Sequence, residues 1–195
     1  MTFTDQMRNQ FKSILDPVGA FLNRLGLTPN NVTILGLVGN TLGAYFLSQG
    51  QMRLGGVLIL LMGPVDALDG TMARLRGEST KFGAFVDSVT DRYSELVIFG
   101  GLLFYYRQEG ETLSTLVVYA AAVGSVLVSY IRARAQALGY DTRVGVLTRM
   151  ERYLVLAPAL VINWPLIGLW IIALLANLTT LQRILDVRRQ TRDKR

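Results

Sequence analysis

Four aspartates, Asp66, Asp69, Asp87 and Asp91, lie in or at the ends of two otherwise apolar segments. If both segments are helical, Asp66 and Asp69 share one face at i, i+3, while Asp87 and Asp91 share another at i, i+4. At membrane depth an uncompensated aspartate costs about 2.5–3.5 kcal/mol on insertion scales, so four of them need water or cations nearby. Mg²⁺ prefers oxygen ligands and usually binds carboxylates together with substrate phosphates. The pattern therefore predicts a divalent metal site between two facing helices.

The residues around the aspartates suit a phosphate-bearing substrate. Gly70, Ala73 and Gly83 fall on the faces that carry the carboxylates, and their small size would let a diphosphate approach the backbone. Arg74, one turn after Gly70, offers a guanidinium fork that can neutralise a phosphate. Together these residues indicate phosphoryl transfer by positioning and electrostatics.

The composition is that of a membrane protein. Of 195 residues 51% are hydrophobic, and the mean hydropathy is +0.35, which is too apolar for an ordinary soluble domain of this size. The chain has no cysteine and no histidine, which excludes disulfides, thiolate nucleophiles, Cys/His zinc sites and histidine bases. The net charge of +6 fits cytoplasmic loops and anionic lipid headgroups, so we expect no nucleic-acid partner.

The elements that must position the aspartates are membrane helices. We predict an all-α integral membrane protein with six transmembrane helices, preceded by an amphipathic helix over residues 1–27 that lies in the membrane interface. Residues 28–195 would form the six-helix bundle, and the whole chain 1–195 a single domain without a cleavable signal peptide. The apolar spans fall near residues 32–47, 54–68, 81–106, 113–131, 153–162 and 165–185.

The distribution of charge predicts the orientation. With both termini inside, the outer loops contain only Arg53 and the adjacent Arg107 of the 20 lysines and arginines, as the positive-inside rule requires. The aspartates then lie toward the cytoplasmic side of the membrane, and we expect that membrane to be the inner membrane of a bacterium.

The spacing from Asp66 to Asp91, D-x2-D-G-x2-A-R-x8-G-x3-D-x3-D, resembles the signature of the CDP-alcohol phosphotransferase family. Enzymes of that family use Mg²⁺ or Mn²⁺ to displace CMP from a CDP-linked lipid with an alcohol. The resemblance implies that the four aspartates bind metal and that Asp91 also takes the proton from the attacking hydroxyl. It further implies a homodimer and a binding site for the CDP-lipid formed by Asn30, Asn31, Val32, Thr33, Gly70, Ala73, Arg74, Thr80 and Gly83.

The acceptor is indicated by arginines at the ends of three later spans, Arg132, Arg152 and Arg183. Three guanidinium groups suit a phosphate dianion and would repel choline or ethanolamine. The Ser-Tyr-Ile-Arg-Ala-Arg-Ala run and Glu151-Arg152 resemble bacterial phosphatidylinositol phosphate synthases, which implies inositol phosphate as the acceptor and CDP-diacylglycerol as the donor. Glycerol 3-phosphate is the alternative acceptor, because its phosphate would satisfy the same arginines.

Other functions and plainer roles stay open at this point. Buried aspartates also mark ion paths, so a small cation or proton transporter is the non-enzyme alternative, and a prenyltransferase also uses aspartate motifs with Mg²⁺. The aspartates could instead form structural ion pairs with Arg74 and Arg92, although two arginines do not offset four carboxylates. Thr80 could simply cap a helix, and any of the later arginines could be a topological anchor.

Overall fold

The computed structural model describes residues 15–77 and 80–193, and within them it contains seven helices and no strand. The first helix, α1, covers residues 15–24. The others are α2 (Pro29–Ser48), α3 (Met52–Arg76), α4 (Lys81–Gln108), α5 (Thr112–Ala137), α6 (Arg149–Val161) and α7 (Pro165–Asp193). The prediction of an all-helical chain is confirmed for this part of the protein.

Helices α2 to α7 form a closed ring. Going around it, α3 packs on α2, α2 on α4, α4 on α5, α5 on α7, α7 on α6, and α6 returns to α3. Because successive helices run up and down through the bundle, one end of it collects the start of α2, α4 and α6 and the end of α3, α5 and α7. The four aspartates and the three predicted acceptor arginines all belong to this end.

Glycines allow the helices of the ring to cross closely. A Cβ on Gly43 of α2 would lie 2.8 Å from Ile59 Cγ1 of α3. A Cβ on Gly55 would lie 2.7 Å from the carbonyl oxygen of Gly43, and one on Gly101 would collide with the backbone of Ala44. Real side chains are not accommodated at these distances, so the small-residue face of α2 is a packing surface against both neighbours.

A proline in the middle of α3 creates the contact with α6. Pro64 has no N–H, so the carbonyl of Leu60 one turn earlier loses its helical hydrogen bond. The Tyr153 hydroxyl of α6 lies 2.6 Å from that oxygen and donates to it. The tyrosine ring rests where a Cβ on Gly63 would be, with Cε1 only 2.8 Å from that position. The Gly63-Pro64 pair thus gives α6 both the space and the acceptor that it uses.

The short helix α1 packs along the end of α3. Gly19 faces Thr71 and Met72, and the Asn23 carboxamide oxygen accepts a hydrogen bond of 2.7 Å from Arg76 Nε. Its opposite side exposes the apolar residues Val18 and Phe21, and Leu25 directly after the helix is exposed as well. Residues 1–14 of the predicted interfacial helix lie outside the described part of the chain.

Three helices, α3, α5 and α7, are long and apolar enough to cross a membrane. The chain is therefore a membrane protein, but the count of six spans stays a prediction. The other helices differ for identifiable reasons. Helix α4 carries Asp87, Asp91, Arg92 and Glu95, and α6 has 13 residues, about 20 Å of helix against a hydrocarbon core of about 30 Å.

Candidate active site

Two of the predicted metal ligands are held together by an arginine. Nη2 of Arg149 lies 2.7 Å from Asp66 Oδ2 and 2.7 Å from Asp91 Oδ1. Asp66 comes from α3, Asp91 from α4 and Arg149 from the first residue of α6, so this contact joins three helices. The Asp91 carboxylate also has Arg92 Nη1 at 3.8 Å from its second oxygen.

The other two aspartates complete the cluster. Asp69 is 6% exposed; its Oδ2 accepts a hydrogen bond of 2.6 Å from Thr33 Oγ1, and its Oδ1 accepts one of 2.5 Å from the Gly70 backbone N–H. Asp87 is half-buried, and its charge is close enough to interact with Asp66, Asp69 and Asp91. All four aspartates thus lie at the same end of the bundle, and their joint role as metal ligands stays a prediction.

The four aspartate side chains are nevertheless not arranged as a metal coordination sphere. Among residues 15–77 and 80–193, no three acidic side chains are arranged to share one metal ion. Two causes are visible: the Arg149 guanidinium lies between Asp66 and Asp91, and Asp69 is engaged by Thr33 and Gly70.

The donor set still fits a hard divalent cation. Four carboxylates face Arg149 and Arg92 as the nearest cations, so the cluster retains excess negative charge, and oxygen ligands are those that Mg²⁺ and Mn²⁺ prefer. A Cβ on Gly36 would collide with Asp66 Oδ1, so this glycine keeps space for the carboxylate. Asp66, Asp69, Asp87 and Asp91 therefore have the ligand chemistry that a divalent cation would need.

One turn of α6 supplies three polar contacts. Arg149, Arg152 and Tyr153 are spaced i, i+3, i+4 and share a face. Arg149 binds the aspartates and Tyr153 binds α3. Arg152, only 2% exposed, forms a bidentate pair with Glu95 of α4, with Nε–Oε1 at 2.7 Å and Nη2–Oε2 at 3.0 Å. The helix start is fixed by Glu151, whose carboxylate accepts a hydrogen bond from the Thr148 backbone N–H.

Two of the predicted acceptor arginines lie within electrostatic range of the third. Arg132 and Arg152 are both close enough to Arg183 to repel it electrostatically. Arg132 is exposed at the end of α5. Arg183 is 2% exposed, and it donates to the carbonyl oxygens of Val128 at 2.6 Å and Val144 at 3.1 Å. Arg183 therefore also fastens the loop between α5 and α6 onto α7.

The cavity next to this cluster is small. It extends from Asp66, Asp91, Glu95 and the two arginines of α6 to the apolar side chains of Ile59, Ile98, Phe99, Leu156 and Ile172, and its volume is about 50 Å³. That space holds a few water molecules. A lipid or a phosphorylated polyol must therefore bind on the open side of the cluster, where the exposed arginines lie.

The predicted CDP-lipid residues line the same end of the bundle with different exposures. Asn30, Asn31, Arg74 and Thr80 are exposed, and Gly70, Ala73 and Gly83 are half-buried. Val32 is buried against Leu68 and Met72, and Thr33 is occupied with Asp69. Their role in binding stays a prediction.

Two of these residues have structural contacts that are visible now. Thr80 caps α4 by accepting a hydrogen bond of 3.0 Å from the Gly83 N–H. Arg74 folds along its own helix, with Nη2 at 2.9 Å from Thr71 Oγ1 and Nε at 3.2 Å from the Gly70 carbonyl. Its guanidinium stays exposed and available to a phosphate.

Arg149 and Glu95 were not among the predicted site residues. The signal for Glu95 is in the sequence, because it continues the i, i+4 series of Asp87 and Asp91 by one turn. Arg149 belongs to the group of arginines near the later spans, and nothing in its local sequence distinguishes it from an anchor.

Comparison with known proteins identifies the family. Residues 26–183 match the CDP-alcohol phosphatidyltransferase family. The archaetidylinositol phosphate synthase of Pyrococcus horikoshii is 34% identical over 95% of this chain and 96% of its own. The phosphatidylinositol phosphate synthase of Streptomyces avermitilis is 35% identical over 93% of this chain and 80% of its own.

Solved structures agree. The phosphatidylinositol phosphate synthase of Mycobacterium tuberculosis with CDP-DAG bound superposes with a TM-score of 0.84 and 32% identity, over 90% of this chain and 94% of that one. Its complex with manganese and citrate gives a TM-score of 0.83 and 32% identity, over 89% and 88% of the two chains. With its aspartate cluster and with these relatives along most of its length, the chain belongs to the CDP-alcohol phosphatidyltransferase family of metal-dependent membrane enzymes.

Proposed function

We propose that this chain transfers the phosphatidyl group of CDP-diacylglycerol to inositol phosphate, giving phosphatidylinositol phosphate and CMP. The observation that carries the proposal is the exposed side chain of Arg132 at the end of α5, within electrostatic range of Arg183 and at the same end of the bundle as the aspartates. Arg132 offers a cation for a second phosphate besides the diphosphate of the donor, while Arg152 and Arg183 are each 2% exposed and bonded to Glu95 and to backbone carbonyls. The names of the relatives agree with an inositol phosphate acceptor.

The reaction joins the acceptor oxygen to the phosphorus that carries the diacylglycerol. The bond from that phosphorus to the CMP oxygen breaks, and the proton of the attacking hydroxyl passes to a base. Asp91 is the proposed base. Its side chain is 13% exposed and lines the cavity next to the cluster, where an attacking hydroxyl would come within its reach.

The remaining residues bind and orient. When bound to the four aspartates, a divalent cation, Mg²⁺ or Mn²⁺, supplies positive charge that stabilises the negative charge on the transferred phosphoryl group. Arg74, Asn30 and Asn31, exposed at the mouth of the site, hold the nucleotide diphosphate with the other predicted CDP-lipid residues. Thr33 fixes the rotamer of Asp69 from α2, and Arg132 attracts the acceptor phosphate.

The membrane arrangement is part of the same proposal. We infer six crossings in one domain, with both termini and the active site on the cytoplasmic side of the cell membrane and with a second copy forming a homodimer. The charge distribution supports this orientation. The exposed apolar residues Val18 and Phe21 on α1, and Leu25 directly after it, support a helix that contacts lipid at the interface.

An acceptor screen tests the proposal. Purified protein with CDP-diacylglycerol and Mg²⁺ is supplied in turn with inositol phosphate, glycerol 3-phosphate, free inositol and serine, and the release of CMP is measured. We expect inositol phosphate to be the preferred acceptor and free inositol to be inactive. Equal or faster CMP release with glycerol 3-phosphate would make the chain a phosphatidylglycerophosphate synthase. No CMP release with any of the four acceptors would favour the transporter alternative.

A further inference from the structure

We propose that Arg149 is an internal counter-ion of the metal site: its guanidinium occupies the oxygens of Asp66 and Asp91 until a divalent cation displaces it. The inference rests on the proposed function insofar as it takes these aspartates as metal ligands. It adds that metal binding and release of the arginine are linked, so that this chain regulates its own affinity for the metal.

The geometry supports a direct competition for oxygen atoms. A single nitrogen, Nη2 of Arg149, lies 2.7 Å from one oxygen of Asp66 and 2.7 Å from one oxygen of Asp91. These oxygens belong to different helices and are the kind of pair that a bridging cation would take. The two side chains are 20% and 13% exposed, so solvent does not replace the arginine as their partner.

The neighbouring charges explain why the arginine can leave. The side chain of Arg149 is 36% exposed, more than either carboxylate that it bridges, so part of it reaches solvent. Arg92 and Glu95 also interact with it, the first by repulsion and the second by attraction. A cation that carries two charges on the same oxygens attracts the carboxylates more strongly than a monovalent guanidinium and adds to the repulsion of Arg149.

The bridge formed by Arg149 also has a structural role. Without metal, four neighbouring aspartates would repel one another inside a helical bundle, which destabilises the fold. The bridge formed by Arg149 cancels part of that repulsion and joins α3, α4 and α6. Arg152, a proposed acceptor residue, lies on the same helix. Replacement of Arg149 by metal would therefore remove one of the contacts that hold this helix against α3 and α4.

Direct binding of Mn²⁺ to the full chain in detergent tests the inference, with the free Mn²⁺ signal in electron paramagnetic resonance as the readout. We expect Arg149→Gln to bind Mn²⁺ more tightly than the wild type by about tenfold, which corresponds to about 1.4 kcal/mol. Arg149→Lys should also bind more tightly than the wild type, because an ammonium retains the charge but is a poor bridge between two carboxylates. Arg92→Gln is the matched control, since it removes a neighbouring positive charge that does not bridge.

Three patterns of Mn²⁺ affinity would overturn the inference while leaving the metal site intact. The first is an Arg149→Gln variant that binds Mn²⁺ no better than the wild type. The second is an Arg149→Lys variant that behaves as the wild type. The third is an Arg92→Gln variant that gains as much affinity as Arg149→Gln. In the second and third cases long-range charge alone would account for the effect. If neither the wild type nor Arg149→Gln binds Mn²⁺, the aspartates are not a metal site, and both the proposed metal dependence and this inference are wrong.

Thermal unfolding provides an independent readout that does not require turnover. In EDTA, Arg149→Gln should unfold at a lower temperature than the wild type, because its aspartates have lost their bridge. Added Mn²⁺ should raise the unfolding temperature of the variant more than that of the wild type. An equal or smaller rise in the variant would contradict the exchange of arginine for metal.

Discussion

Neutralising Glu95 should destabilise the protein strongly, because it leaves the guanidinium of Arg152 without a charged partner inside the bundle. Arg152 is 2% exposed and forms two hydrogen bonds with Glu95, at 2.7 and 3.0 Å. Removing one member of a buried ion pair costs about 3–5 kcal/mol. Since glutamine retains one oxygen acceptor, we expect Glu95→Gln to cost about 3 kcal/mol, near the lower end of that range.

The measurement is thermal unfolding in detergent at a fixed metal concentration. For a chain of this size each kcal/mol shifts Tm by about 2–4 °C, so the expected loss is roughly 6–12 °C. Glu109→Gln makes the same chemical change at an exposed position directly after α4 and should leave Tm unchanged. The double variant Glu95→Gln/Arg152→Met should lose less Tm than the sum of the losses in the two single variants, because it removes both charges and leaves neither unpaired.

Two outcomes would refute this reasoning. If the Tm of Glu95→Gln lies within roughly 1 °C of the wild-type Tm, the ion pair contributes no more than an exposed one. The pair would then not be buried. If the effects of Glu95→Gln and Arg152→Met simply add, the two side chains are not coupled.

Three further perturbations address the chemistry and the helix packing. Asp91→Asn should abolish CMP release while CDP binding stays within a few-fold of the wild type; substantial residual turnover would remove Asp91 as the base. Arg132→Ala should raise the acceptor KM at least tenfold, the loss of one charge-assisted contact, with little change in the KM for CDP-diacylglycerol, and equal changes in both would argue against a separate acceptor pocket. Tyr153→Phe leaves the Leu60 carbonyl opposite Pro64 without its donor and should cost about 1–3 kcal/mol, measured as a lower Tm; an unchanged Tm would mean that water takes the place of the hydroxyl.

Local patterns in the sequence were sufficient for the helices and for the aspartates. The spacing of Asp66 and Asp69, and of Asp87 and Asp91, depends only on helical periodicity, and the structure brings both pairs to one end of the bundle. The boundaries were less accurate: α3 continues to Arg76 and α5 to Ala137, beyond the apolar residues, because polar residues also extend a helix that leaves the hydrocarbon.

Contacts between distant segments could not be read in the same way. The bridge from Arg149 to Asp66 and the pair between Arg152 and Glu95 join residues that only helix packing brings together. An arginine at a helix end looks the same whether it faces lipid headgroups or a carboxylate. Arg183 illustrates the point, because it was predicted to face the acceptor and also hydrogen-bonds the carbonyls of Val128 and Val144.

In the first turn of α6 the number of residues matters more than most of their identities, because the number sets the directions in which Arg149, Arg152 and Tyr153 point. Each residue advances a helix by about 100°, so a single insertion between Glu151 and Arg152 would turn Arg152 and Tyr153 away from α4 and α3 while Arg149 stayed in place. No compensating substitution restores two directions at once. We therefore expect homologous enzymes to tolerate substitutions on the exposed face of α6 more readily than insertions or deletions in its first turn.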